Sequence, residues 1–291
     1  MKPTFGEKLF YGMNYVLLSL IGLSCILPIV HILALSFSDA QAVMSGKVVF
    51  WPVNVTFKSY ENLFIGTNIM NAFKNNVVIT VVGTALSMAC TIIAAYPLSR
   101  RDMYGRRFFT MAVVFTMLFS GGIIPNYLVI KSLGLLDSYG AIWLPGLVSV
   151  FNMLVLKTYF ESMPLETEEA ARIDGCNEWR LLIRVVLPLS MPVLAALTLF
   201  YAVGFWNQFM NVLLYLNDPM KYNLTVMVQQ MIRSQSMLQE LSNLQPEDVM
   251  NMTSETIKSA GVIVMILPMV IIYPFLQKYF VKGVMIGAIK G

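Results

Sequence analysis

Six apolar stretches of roughly 20 residues each, the length that crosses a bilayer as a helix, constrain this 291-residue chain more than any other feature. In hydrocarbon an unpaired backbone amide has no water to bond, so a segment of this kind must satisfy itself as a helix. The stretches lie at about 16–37, 76–97, 108–130, 141–159, 192–216 and 260–276. They predict an all-α membrane protein with six transmembrane helices and one transmembrane domain over 1–291. Composition agrees: 57% of residues are hydrophobic and 12% charged, against about a quarter charged in ordinary soluble domains. The first stretch is too long for a secretory h-region, and five more follow, which favours an uncleaved helix. Its His31 is the only histidine; a lone imidazole in a span is more often a packed group than a ligand. The net charge of +4 comes from dispersed residues instead of one basic patch, so no nucleic-acid partner is expected.

Charge placement sets the expected orientation. Arg100, Arg101, Arg106, Arg107, Arg172, Arg180 and Arg184 fall in two connections on one side, and Arg233 alone on the other. The positive-inside rule then places both termini in the cytoplasm. The connection 38–75 and the longer one at 217–258 face outward, the latter amphipathic around Val226 to Met231 with a helix start near Thr253. Cys25, Cys90 and Cys176 have neither disulfide nor metal-ligand spacing and read as reduced packing residues.

One cytoplasmic connection, 160–191, is unlike the rest because its segment PLETEEAARIDGCNEWRLLIRVVLP is densely charged. Pro164 suits a first helical turn, Thr167 can cap it, and Glu166, Glu168 and Glu169 complement the positive helix end. Gly175 can stop the helix in a left-handed conformation. Asn177 is placed to cap a second helix, which Pro188 ends. The expected shape is two short helices at an angle, with Ala170 and Ala171 allowing close approach and Glu168, Glu169 and Asp174 meeting a basic rim. An amphipathic loop resting on lipid headgroups has the same helix physics.

The spacing Glu169-Ala170-Ala171, Gly175, Val185-x-Leu187-Pro188 resembles the EAA loop of permease subunits of binding-protein-dependent ABC importers, with Val185 where isoleucine is usual. The resemblance is closest to the carbohydrate-uptake class, the partner permeases of maltose-like and complex-oligosaccharide systems. It is carried there by Leu133-Gly134-Leu135-Leu136-Asp137-Ser138, Trp206-Asn207-x-Phe209 and the tail from Lys282 to Gly291. It implies the type I ABC importer permease fold and ATPase coupling through Glu168, Glu169, Ala170, Ala171, Asp174, Gly175, Leu187 and Pro188. It also implies a heterodimer with a second permease, an ABC ATPase dimer carrying ATP and Mg, and an extracellular or periplasmic sugar-binding protein docked at the outer loops. The expected setting is the lipid of a bacterial or archaeal plasma membrane, and the expected cargo a carbohydrate, preferably an oligosaccharide, with another small solute of the same importer class as the alternative.

Polar residues within the spans are candidates for the substrate path, because intramembrane amides are costly unless they pair across helices or face water. Asn126 and Tyr127 follow Gly121-Gly122 and Pro125 in the third span, Asn152 lies in the fourth, and Trp206, Asn207, Gln208 and Asn211 interrupt the fifth. Amides suit sugar hydroxyls and aromatics suit sugar faces; interhelical bonding is the competing role. Other function classes find less support. No Asp or Glu lies inside the six stretches, which leaves a proton-coupled carrier without an obvious relay, although an ion-coupled carrier using backbone carbonyls remains open. The chain lacks a G-x-x-x-x-G-K-[ST] phosphate loop and a nucleophile-base grouping, so no enzymatic activity and no bound cofactor are expected.

Overall fold

The computed structural model describes residues 4–119, 121–241 and 255–288, with side chains omitted at 165, 234–241 and 275–288. In chain order the helices are α1 (Phe5–Ser36), α2 (Ala40–Met44), α3 (Lys58–Gly66), α4 (Ile69–Ser99), α5 (Arg106–Leu118), α6 (Ile123–Ser132), α7 (Gly140–Trp143), α8 (Val150–Glu161), α9 (Leu165–Ile173), α10 (Glu178–Leu181), α11 (Leu187–Leu189), α12 (Met191–Trp206), α13 (Met210–Tyr215), α14 (Leu224–Leu241) and α15 (Glu255–Ala288). The described residues contain no strand. Three helices are each long and apolar enough to cross a membrane, and the number rises to six if each bent pair is one span. The expected helix start near Thr253 lies outside the described residues.

The helices gather into two compact units, Met1–Met70 with Val228–Leu267, and Asn71–Met227 with Pro268–Gly291. In the first, α1 begins eleven residues before the apolar stretch read from sequence, because Thr4 and Glu7 form a reciprocal capping box that satisfies the first free amides. A small core of Ala34, Leu35, Ala42, Val43 and Val48 seats α2 beneath the end of α1. Within the same unit, Ser36 Oγ and Tyr60 Oη lie 2.9 Å apart, tying α3 to α1.

In the second unit, α4 also starts earlier than expected. Its polar first turns are satisfied by a neighbouring loop: Asn75 Nδ2 donates to the carbonyls of Met220 and Tyr222 at 2.8 and 2.9 Å. The fourth stretch is broken, not continuous, since α7 and α8 are separated around Leu147–Ser149 and inclined at 50°. Ser149 starts α8 by accepting from the Asn152 amide. The fifth is also divided: α12 has 16 residues, a length of about 24 Å at 1.5 Å per residue, and α13 resumes after Asn207–Phe209. The main core lies among α4, α8, α10 and α12, with Ile79, Leu156, Leu181, Val186 and Leu197 inside it.

A polar clamp closes the loop between α6 and α7. Asp137 adopts φ 58°, uncommon for a residue with a Cβ, and its carboxylate accepts from the amides of Asn217 and Asp218, both at 3.1 Å. Lys221 Nζ donates to Asp137 Oδ2 at 2.6 Å and to its carbonyl at 2.7 Å. The Lys221 bond, followed by the backbone bond from Asp218, holds the Asp137 carboxyl below the usual carboxylate range.

Candidate coupling helix and polar cavity

The charged connection folds as two short helical arms at one end of the second unit. α9 ends in a paired C-terminal turn: the Gly175 amide donates to Arg172 O and the Cys176 amide to Ala171 O, both at 3.0 Å. That pattern requires a left-handed residue, and Gly175 has φ 78°. Asn177 then caps α10 by accepting from the Arg180 amide at 2.9 Å. Two details differ from the sequence reading. The N-cap of α9 is Pro164 and no side chain caps it, so Thr167 sits within the helix. Pro188 does not end the second arm. Residues Leu182–Val186 form a π-helical turn in which the Leu187 amide reaches back five residues to Leu182 O. This wider turn relieves the crowding that a proline ring imposes on the preceding turn, and helix continues to Leu189.

Helical spacing divides α9 into two faces. Glu169, Ala170 and Asp174 are exposed, as is Ile173. Glu168 and Ala171, three residues apart, turn inward; Ala171 packs partly against the main core. The sequence reading placed Glu168 on the basic rim of a partner, whereas here it is 7% exposed and ion-paired with Arg100 at the end of α4. A carboxylate facing a buried guanidinium gains far more than one facing water. The Arg100 guanidinium also lies over the Tyr96 ring, 4.3 Å from its centroid. Tyr96 Oη donates to Glu178 Oε2 at 2.8 Å, and Glu178 Oε1 pairs with Arg172 at 2.6 Å. One polar chain therefore runs from α9 through α4 to α10. Leu187 is half-buried against the core and Pro188 is exposed. Beside α9 a cavity of about 840 Å³ is lined by both signs of charge, including Arg106, Glu161, Glu166 and Glu169.

Away from the arms, α8 and α12 border an open pocket of about 470 Å³ lined by Asn152, Asn207 and Gln208 together with Phe151, Phe200 and Tyr201. Three of the seven residues read as path candidates are brought together there. The other four do not line it: Asn126 is exposed on α6, Tyr127 stacks on Tyr215 at 6.4 Å, Trp206 is buried with its ring edge-on to Phe73, and Asn211 is half-buried on α13. Sequence reasoning missed Tyr201, which reads as one more aromatic in an apolar run. Its hydroxyl accepts from the Ser149 amide at 2.8 Å and bonds Thr91 Oγ1 at 2.6 Å, fixing the break in the fourth span against α4 and α12. Phe205 closes the wall by packing where a Cβ on Gly83 would stand, 2.9 Å from its ring.

No group of three metal-ligating side chains occurs among the described residues. A helical body with up to six apolar spans, an open amide-lined pocket and a charged arm with one exposed face fits a membrane transport subunit. The chain belongs to the family described as binding-protein-dependent transport system inner membrane component, matched over residues 82–286. It is 42% identical over 289 residues to the polygalacturonan/rhamnogalacturonan transport system permease protein YtcP of Bacillus subtilis (strain 168), covering 98% of this chain and 99% of that one. Identity to protein LplC of the same organism is 40% over 293 residues, covering 100% and 98%. Among solved structures it resembles a bacterial ABC transporter involved in the import of the acidic polysaccharide alginate, with TM-score 0.86, 33% identity, and coverage of 96% of this chain and 99% of that chain. The all-α ABC importer permease fold and the multi-pass membrane setting follow from that membership.

Proposed function

We propose that this permease translocates an oligosaccharide by alternating access, with uronate-containing chains the first class to test. The observation that carries the reading is the cavity between α8 and α12, where three amide side chains converge beside aromatic faces and no charged side chain lines the wall. Amides can exchange hydrogen bonds with successive hydroxyls without holding any one sugar tightly, which suits release as well as entry. Relatives named for polygalacturonan and alginate support the choice of uronates.

In this reading both termini are cytoplasmic, and Glu169, Ala170, Asp174 and Gly175 sit in a cleft of an ABC ATPase dimer that binds ATP and Mg. Closure of the ATPase displaces α9, and the inward ties of Glu168 and Ala171 pass that displacement to α4. Leu187 and Pro188 stiffen the second arm. A second permease completes the path as a heterodimer, and an external sugar-binding protein delivers cargo. The test is uptake by the assembled importer in proteoliposomes, using labelled oligogalacturonides, neutral oligosaccharides and amino acids. ATP-dependent oligosaccharide uptake that falls in Asn207→Leu, with ATPase co-purification unchanged, supports the reading. Uptake of amino acids alone, or full sugar uptake by the variant, contradicts it.

A further inference from the structure

At the start of α5 a further cavity, of about 390 Å³, opens where α5 packs against α8. It is lined by Arg106, Arg107, Thr110, Met111 and Lys157. Four features converge on an anion there. Arg106 and Lys157 share a single carboxylate, Glu161, so the group holds three cations against one anion. Arg107 is exposed and has no charged or hydrogen-bonded partner among the described residues. The Thr110 hydroxyl is buried at the cavity without a hydrogen-bond partner among the described residues, an arrangement that a native structure seldom leaves unfilled. Finally, the first amides of the 13-residue α5 have no side-chain cap, so the positive end of the helix adds to the same field.

The cavity is continuous with an apolar stripe. Phe108, Met111, Phe115 and Leu118 follow one face of α5 at spacings of three and four, and all are exposed. Met111 belongs to both the stripe and the cavity. A ligand seated here meets cations at one end and uncovered hydrocarbon contacts below. We infer that this is a binding site for an anionic phospholipid, its phosphate held by Arg107, Lys157 and Thr110 and its acyl chains lying along Phe108, Met111 and Phe115. A soluble phosphate satisfies the first half of the site and leaves the stripe unused.

The experiment uses the full-length chain with the subunits that co-purify in mild detergent, equilibrated with equal amounts of phosphatidylglycerol and phosphatidylcholine of matched acyl chains. Bound lipid is quantified after washing. The wild type retains phosphatidylglycerol severalfold over phosphatidylcholine. Arg107→Gln, which leaves the Arg106–Glu161–Lys157 cluster in place, lowers that preference about fivefold, the effect of one basic residue near an anionic surface. Arg101→Gln, outside the cavity, leaves the preference unaltered. Equal retention of both lipids, equal loss in both variants, or an unchanged preference in Arg107→Gln overturns the assignment. Displacement of the lipid by millimolar inorganic phosphate gives the cavity to a soluble anion and also overturns it. So does a preference that vanishes whenever a second permease co-purifies, because that subunit then covers the face.

Discussion

Glu168 of α9 and Arg100 at the end of α4 form an ion pair buried between the charged arm and the membrane body, with side-chain exposures of 9% and 15%. The pair joins α9, whose other face is exposed, to α4, the longest helix of its unit, and the guanidinium lies over the Tyr96 ring. Removing one partner leaves a buried charge uncompensated, a loss of about 3 kcal/mol. Glu168→Leu is therefore expected to lower the apparent melting temperature in detergent and to reduce uptake. The charge-free pair Glu168→Leu with Arg100→Met recovers most of the stability. A single variant as stable as the wild type would remove the pair from the account.

Gly175 tests the turn between the arms. At φ 78° a residue with a Cβ costs about 1–2 kcal/mol, and a β-branched side chain is the least suited. Gly175→Val is expected to separate ATP hydrolysis from uptake or to prevent assembly with the ATPase, as read by paired hydrolysis and uptake assays. Normal assembly together with normal uptake contradicts the lever.

Gly83 tests the wall of the polar cavity. Because a Cβ at this position meets the Phe205 ring at 2.9 Å, Gly83→Val must push that ring aside, an overpacking cost of about 1–3 kcal/mol. Uptake is expected to fall while co-purification of the ATPase is retained. Unimpaired uptake means that Phe205 can move without closing the path.

Much of this arrangement was legible in the residues, and the reasons for the exceptions are physical. The apolar centres of α1, α4 and α15 follow from hydropathy, and the Gly175 stop and Asn177 cap follow from local backbone chemistry. Helix ends at Phe5 and Ile69 were missed because polar side chains there are satisfied by a capping box and by loop carbonyls, neither of which hydropathy registers. The inward turn of Glu168 depends on Arg100, 68 positions away, and no local signal distinguishes it from the exposed Glu169. Tyr201 was missed for the same reason, since its role depends on the Ser149 amide and Thr91. Pro188 misled because the π-helical turn that accommodates it has no sequence signature of its own.

The Asp137–Lys221 clamp predicts an acid response. Its folded carboxyl titrates below the ordinary value, near 3.9 for an unfolded aspartate. The stabilisation is thus complete above that unfolded value and is lost as pH falls through the lower folded one. Wild type and Asp137→Asn should differ in apparent melting temperature at neutral pH and down to about pH 5, and the difference should shrink on further acidification. A difference independent of pH contradicts the charged clamp.

The exposed face of α9 can be probed directly for the ATPase that docks on it. A photo-crosslinking amino acid placed at Glu169, and in a second variant at Asn126, is irradiated in native membranes, and the adducts are identified by mass spectrometry. An ABC ATPase is expected to be captured from position 169 and not from position 126. Capture of lipid alone at position 169, with the importer assembled and active, would contradict it.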